Sequence, residues 1–319
     1  MTAETFETRL GRINDTIALK QPDRVPVFPS FHLFPARYAG MTYEEAFYDL
    51  DRWLAANEKA ILDYDPDLYF QPSAPIAAAG QAHEALDNQQ MKWPGHGVAP
   101  TRSFQFVEGE YMKAEEYDEF LNDPSDWTVR KFLPRIYGNL QGLGMLPPLT
   151  TMLVGYVGSG ITGILMAPPV AAAFEALGQA ARVSAQWSMG YAQFEQKLNA
   201  MGYPAFSAAV ALAPYDLISD MLRGMRGTMV DMYRCPDKLL AAMEKVLPLQ
   251  IGGAIGQAHM SGNPRIFIPL HRGADGFMSD EQFERFYWPT LKALILALIN
   301  ADLVPCPFFE GGYDQRLQY

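Results

Sequence analysis

Cysteine is almost missing from this chain, with two in 319 residues. Cys235 and Cys306 cannot build a disulfide framework, which predicts a reducing, cytoplasmic setting. Neither sits in a CxxC pair or beside a His/Cys cluster, so no closed structural zinc site is written in the sequence. Positive charge is also in deficit: 25 Lys and Arg stand against 36 Asp and Glu, a net charge of −11. That balance argues against a nucleic-acid partner and against docking on an anionic membrane, both of which need a basic surface. The start, "MTAETFETRLGRIN", lacks a basic stretch followed by an apolar run and predicts no signal peptide. One charge-free run exists, "LTTMLVGYVGSGITGILMA" at 149–167. Its four glycines, its Ser and Thr residues and its flanking prolines make a buried strand-loop the expectation there rather than a membrane helix. Within it "GYVGSG" has the wrong spacing for a phosphate or dinucleotide cradle.

What is present is the composition of a soluble enzyme with a sizeable core, 49% apolar and 19% charged. Helical periodicity is legible at 3–19, where Phe6, Leu10, Ile13 and Ile17 form one stripe, and again at 42–64, 168–201, 215–233, 236–258 and 279–301. Thr42 and Glu45 have capping-box spacing. Short apolar runs at 25–30, 67–71, 205–213, 264–270 and 303–309 read as strands, with a hairpin about Glu108-Gly109. Alternating helices and strands with long connections predict an α/β fold, a (β/α)8 barrel or a doubly wound sheet. No linker, repeat or low-complexity tract divides it, so a single domain over 1–319 is expected, with an N-terminal helix in 1–22 and a hairpin-helical insertion at 100–145.

In a barrel of this type, residues just after each strand face the active site. That rule selects His32, Arg37 and Tyr38 after the first run, and Tyr215, Asp216, Asp220 and Arg223 after the run at 205–213. It selects His271, Arg272 and Asp275 after "RIFIPL", and Glu310 after "CPFF". Each has a plain structural alternative. Asp216 can cap the helix it opens, and Asp220 with Arg223 reads as a solvated pair on one helix face. His271 can be a hydrogen-bonded structural histidine, and Arg37 can cap a helix C-terminus. His83, His96 and His259 have no partner signal and are read as surface residues.

At "PDRVPV…ARYAG", and at "FMSDEQFERFYWPTLKALI" followed by "PCPFFEGGY", the chain resembles the uroporphyrinogen decarboxylase superfamily. That family holds porphyrinogen decarboxylases and zinc methyltransferases that move methyl groups between corrinoid proteins and thiols. The resemblance covers most of the chain and implies a (β/α)8 barrel with its site in the mouth, and for the decarboxylase branch a homodimer. The departures are specific. The decarboxylases carry Met-Arg-Gln-Ala-Gly-Arg, whose arginines grip substrate carboxylates; "FHLFPARY" keeps only Arg37 and puts His32–Leu33 near the first arginine. Their aspartate after the second strand falls in "FQPSAPI", where Ser73 stands. Buried unpaired carboxylates are costly, so one arginine is a poor host for a substrate with many of them. The methyltransferases carry His-x-Cys-Gly where this chain has Phe308-Phe309-Glu310-Gly311.

These residues lead to three functional expectations. The first is methyl transfer with a corrinoid (cobalamin) partner protein, assisted by zinc held by Glu310 with His271 and Cys306. The second is decarboxylation of a smaller carboxylated substrate, with Arg37 binding carboxylate and Glu310 or Asp216 supplying the proton. The third is a non-catalytic binding subunit. The catalytic set is Glu310, His271 and Asp216; His32, Arg37, Tyr38, Tyr215, Arg272, Asp275 and Tyr313 are the substrate-binding set. A strand at 303–309 with nothing after it would leave an apolar edge unpaired, so the chain is also expected to be a piece of a longer barrel.

Overall fold

The computed structural model describes residues 4–153 and 163–319. They form two compact units, Met1–Val107 with Ile136–Phe206, and Glu108–Arg135 with Ser207–Tyr319. The first is called unit 1 and the second unit 2. The structure is 61% helical, and among the described residues the strands make two sheets of three strands each. The eight-stranded TIM barrel is therefore not formed among the described residues. The backbone chemistry of the expected strands explains much of the difference.

In unit 1 the run at 25–30 has no ladder. Pro26 and Pro29 remove two donors, and the Val27 N–H goes to the Asp67 carboxylate at 2.7 Å instead of to a strand. The run at 67–71 makes a single bridge, Tyr69 to Ala205. Of the run at 149–167, Leu149–Leu153 is a 3-10 turn, and residues 154–162, including "GYVGSG", lie outside the described residues. The sheet of unit 1 consists of β1 (Met91–Pro94), β2 (Gly97–Val98) and β3 (Gln105–Phe106). β3 pairs antiparallel with β1, so the turn lies between these strands and not at Glu108-Gly109.

Helix formation follows the sequence more closely. Thr42 and Glu45 make both arms of the capping box. The periodic segment 42–64 is two helices, Tyr43–Tyr48 and Leu50–Tyr64, because Asp49 leaves helical geometry and caps the second one through the Arg52 N–H. Between Pro168 and Ala200 the helix is continuous. Phe47, Trp53, Trp93 and Trp187 are the bulkiest members of the unit 1 core.

Unit 2 is a βαβαβ arrangement. Its sheet has the order β4 (Ala209–Val210), β5 (Arg265–Leu270), β6 (Val304–Phe309), all parallel. Helices Gly224–Arg234 and Pro236–Ser261 cross from β4 to β5, and Trp288–Asn300 crosses from β5 to β6. Pro236–Ser261 is long and apolar enough to cross a membrane by length and composition alone. In unit 2, Leu239, Met243 and Val246 of that helix join Ile266 and Ile268 in the core, each large side chain contributing about 1.5–3 kcal/mol of burial.

β6 is the sheet edge, and its sequence suits it. The N–H groups of Val304 and Glu310 point to β5, bonding Pro264 O and Leu270 O at 2.8 and 3.2 Å. By alternation, positions 305 and 307 turn their nitrogens outward, and both are proline. The edge therefore lacks two of the donors that would recruit another strand.

Three helical segments of unit 2 are wound as π-helix: Thr128–Phe132, Ile218–Arg223 and Phe283–Tyr287. Two of them hold the side chains described next, in keeping with the frequent placement of π-segments at functional positions.

Candidate functional site

The centre of the site is the turn that leaves β5. Ile266, Ile268 and Leu270 alternate into the core, and the strand ends as His271 and Arg272 emerge. Their two backbone N–H groups both donate to Asp216, to Oδ2 and Oδ1 at 3.0 Å each. Tyr287, the last residue of its π-segment, donates its hydroxyl to Asp216 Oδ2 at 2.6 Å. Asp216 is thus not a helix cap. It is a fully buried acceptor that ties the end of β5 to the helix following β4. Burial pushes its carboxyl up to about 6, against the lowering effect of those hydrogen bonds.

Four residues on, Asp220 sits inside the π-segment and serves both residues of the same turn. Its Oδ2 is 2.5 Å from His271 Nδ1, and its Oδ1 takes Arg272 Nε at 3.1 Å and one terminal nitrogen at 3.0 Å. This corrects the reading of Asp220 and Arg223 as a solvated pair. Arg223 is buried, bound to Asp231 at 2.6 Å and Glu110 at 2.5 Å. Gly224 makes that arrangement possible: it has φ +72°, and a Cβ there would lie 3.1 Å from the Gly109 carbonyl oxygen.

On the far side of the imidazole, His271 Nε2 lies 3.7 Å from Glu310 Oε1, an ion-pair separation rather than a hydrogen bond. The Asp220 hydrogen bond is the main cause that raises His271 above its ordinary value, with Asp216 and Glu310 adding to it and desolvation opposing. His271 is 31% exposed and Glu310 48%, so both reach solvent, whereas Asp220 at 14% is largely covered. A neutral or charged imidazole anchored through one nitrogen, with the other near a solvent-reaching carboxylate, is equipped to accept or donate a proton.

The remaining candidates divide cleanly. Tyr215 is core: its ring is fully buried, and its hydroxyl meets Met232 Sδ at 3.8 Å. Tyr313 donates to Leu270 O at 3.1 Å and supports the end of β5 from beneath, its hydroxyl held well above the ordinary tyrosine value by burial. Asp275 holds the C-terminal segment, through its N–H to Gly312 O at 2.7 Å and its Oδ2 accepting from Gln315 N at 3.1 Å. Arg316 continues that docking with Asp280 and with Met278 O at 2.7 Å. His32, Arg37 and Tyr38 belong to unit 1, where His32 and Arg37 line a cavity of about 560 Å³ with Phe31, Phe34, Tyr38 and Tyr43. Tyr38 donates to Asp63 at 2.9 Å there. Of the histidines read as surface residues, His83 is held near pKa 4 by burial and packs on Trp93, while His96 stacks on the same ring. His259 is exposed.

The metal expectation can be tested against donor geometry. Among the described residues no group of three or more His, Cys, Asp or Glu side chains is placed to hold a metal ion. Cys306 donates its Sγ to Val304 O at 3.4 Å, and burial pushes its thiol up, away from the thiolate that binds zinc. Glu310, His271 and Cys306 therefore do not converge as a ligand set.

Tyr287 is the member of the site that sequence reasoning missed, and Asp220 was selected by its place after a strand but read as half of a solvated pair. Both had a signal: Asp216 and Asp220 are four apart on the segment that follows one strand, facing a His-Arg pair that follows the next, and Tyr287 lies just before "WP" in a dense aromatic run. No protein-family model matches this chain, and no curated protein matches it.

Proposed function

We propose that the chain is an enzyme in which His271 moves a proton at the substrate, with Asp220 orienting the imidazole and Glu310 exchanging protons with its exposed face. The observation that carries this reading is the placement of one imidazole between two carboxylates, 2.5 Å from Asp220 on Nδ1 and 3.7 Å from Glu310 on Nε2. Asp216 positions the turn without touching the substrate. The raised His271 favours the charged imidazolium, which suits the acid role. Loss of carbon dioxide from a carboxylated substrate leaves a carbanion that must be protonated, and an imidazolium donor beside a solvent-reaching carboxylate supplies that proton and can be recharged. Decarboxylation of a small carboxylated molecule is accordingly the first reading.

Methyl transfer with a corrinoid partner is the second. It is favoured by one observation, the position of Glu310 at the exposed end of β6, where the resemblance places the thiol-activating group. There His271 and Glu310 would act as the base that takes the proton from the acceptor thiol.

Carbon dioxide release from a panel of small carboxylic acids tests the first reading. Removing a general acid typically costs about a hundredfold or more, so His271→Gln should fall by at least that factor while Glu310→Gln falls less. Release by His271→Gln at the wild-type rate would overturn it. A shift of the cobalt absorbance bands when methylcobalamin and a thiol are added, without carbon dioxide release from any acid, would replace it with the second.

A further inference from the structure

We propose that the unit 1 cavity is a binding site for an organic anion built on a flat ring, with the anionic head held between Arg37 and Arg102 and the ring lying on the aromatic wall next to it. Two adjoining cavities make up the site. One, of about 560 Å³, is lined by Phe31, His32, Phe34, Arg37, Tyr38 and Tyr43. The other, of about 540 Å³, is lined by Thr42, Thr101 and Arg102 and shares Arg37 and Tyr43 with the first. Each volume is in the range of small-molecule sites.

The charge arrangement is the main argument. This is an acidic chain with a net charge of −11, and many of its arginines are committed to carboxylates. Arg37 and Arg102 are not: among the described residues neither guanidinium has an ion pair or a hydrogen bond, and both line the second cavity. Two uncommitted guanidinium groups at one cavity repel each other unless an anion lies between them, and their planar forks suit a carboxylate or a phosphate. Thr42 and Thr101 add hydroxyl groups to the same lining.

The ring half of the ligand is argued from the wall. Phe31 stacks with Phe34 at 5.7 Å and Phe34 with Tyr38 at 5.3 Å, so the first cavity presents a continuous aromatic ladder. His32 lines the same cavity, its ring 5.9 Å from that of Phe104, at some cost in strain. It is a non-glycine residue at φ +48°, a conformation disfavoured by about 1–2 kcal/mol, and desolvation lowers its pKa, favouring the neutral imidazole. Leu33 beside it is buried, which anchors the turn in that shape. Arg37 lies in a stretch that carries the family resemblance, but Arg102 lies in the 100–145 segment, outside those stretches, so the pairing of the two arginines at one cavity is not part of that resemblance.

Calorimetric titration of the full chain with phenyl phosphate, benzoate, inorganic phosphate and benzyl alcohol tests the proposal. One of the two ring-bearing anions should bind saturably at one site per chain, and which of them binds tighter identifies the head group. Charge-assisted hydrogen bonds are worth about 1.5–3 kcal/mol, so Arg102→Gln and Arg37→Gln should each weaken that binding by about tenfold or more. Benzyl alcohol should bind at least about tenfold more weakly than the anion. Tyr43→Ala should weaken the ring-bearing anion but not inorganic phosphate. The two arginines are exposed, so unchanged thermal unfolding of the variants is expected. The proposal is overturned if neither ring-bearing anion binds with a Kd of about 1 mM or tighter. It is equally overturned if the Arg37→Gln, Arg102→Gln double variant binds as the wild type does, or if the neutral alcohol binds as well as the anions.

Discussion

Each unit of this protein holds a cluster of charged side chains at the end of a helix or strand, and the two clusters are finished to different degrees. In unit 1, Arg9, Arg12 and Arg24 meet Glu4, Asp23, Asp65 and Asp67. Asp67 has no exposed surface and is saturated: Arg12 and Arg24 bind it, the latter at 2.7 and 2.8 Å, and it takes the Val27 N–H as well. The terminal nitrogens of Arg9 bind Asp65 at 2.6 Å and Pro66 O at 2.7 Å, while its Nε is buried without a partner. In unit 2, Asp216 is held by two backbone N–H groups and a hydroxyl, Asp220 and Glu310 share a single guanidinium and a single imidazole, and the imidazole's second nitrogen has only a carboxylate at 3.7 Å. A buried network in which each charge is answered holds the chain in place. One with an unsatisfied ring nitrogen open to solvent has something left to offer a substrate.

That contrast can be broken in three places. The largest effect is expected in unit 1, where Asp67→Ala strands Arg12 and Arg24 and removes the acceptor of Val27. Loss of one partner of a buried ion network costs about 3–5 kcal/mol, to be read as a lower urea midpoint. The His271 titration, followed by imidazole proton resonances, should not move; a shift there would show that the two clusters are coupled.

Next is Asp216, whose carboxyl rises in the folded chain from 3.8 to about 6. A raised folded pKa means that its contribution is fully present below 3.8 and is lost as pH rises through about 6. Wild-type stability should therefore decline across that window by an amount on the order of 3 kcal/mol from this group. Asp216→Asn cannot ionise and should lose that part of the pH dependence. An unchanged pH profile in Asp216→Asn would place the titration elsewhere.

The smallest change in stability is expected for Asp220→Asn, and it is the most informative about the site. His271 should titrate at a lower pH in this variant, because its largest raising influence is gone. The stability that the pair contributes is present below the ordinary imidazole value of 6.5 and is lost as pH rises through the raised one. Wild type and Asp220→Asn should thus differ more at pH 6 than at pH 9. Imidazole resonances that titrate identically in both proteins would remove Asp220 from its orienting role.

Much of the local structure was legible beforehand. Thr42 with Glu45 forms the capping box that their spacing announces, and the structure adds a second one at Ser279 with Gln282. "RIFIPL" and "VPCPFF" form adjacent parallel strands, and Arg272, His271 and Glu310 do stand at their ends. The strand at 303–309 was read as an apolar edge left unpaired, and its prolines at 305 and 307 are what protects that edge. The barrel was not legible as absent, because a run such as "RVPVFPSF" has the composition of a buried strand whether its donors find a ladder or a side chain such as Asp67. The π-segments were invisible too. A one-residue widening of a helix leaves its apolar periodicity almost unchanged, yet it decides which way Asp220 and Tyr287 face.

By itself the sequence determined where helices begin, which short runs are buried, and that His271, Arg272 and Glu310 follow strands, because capping, burial and turn chemistry act over a few residues. The tertiary structure alone decided that Asp216 binds two backbone amides instead of capping a helix, that Asp220 serves His271 and not Arg223, and that Cys306 stays out of the site. Those outcomes depend on which groups from distant segments reach hydrogen-bonding distance and on how much water remains around them. Neither quantity is carried by any short stretch of the chain.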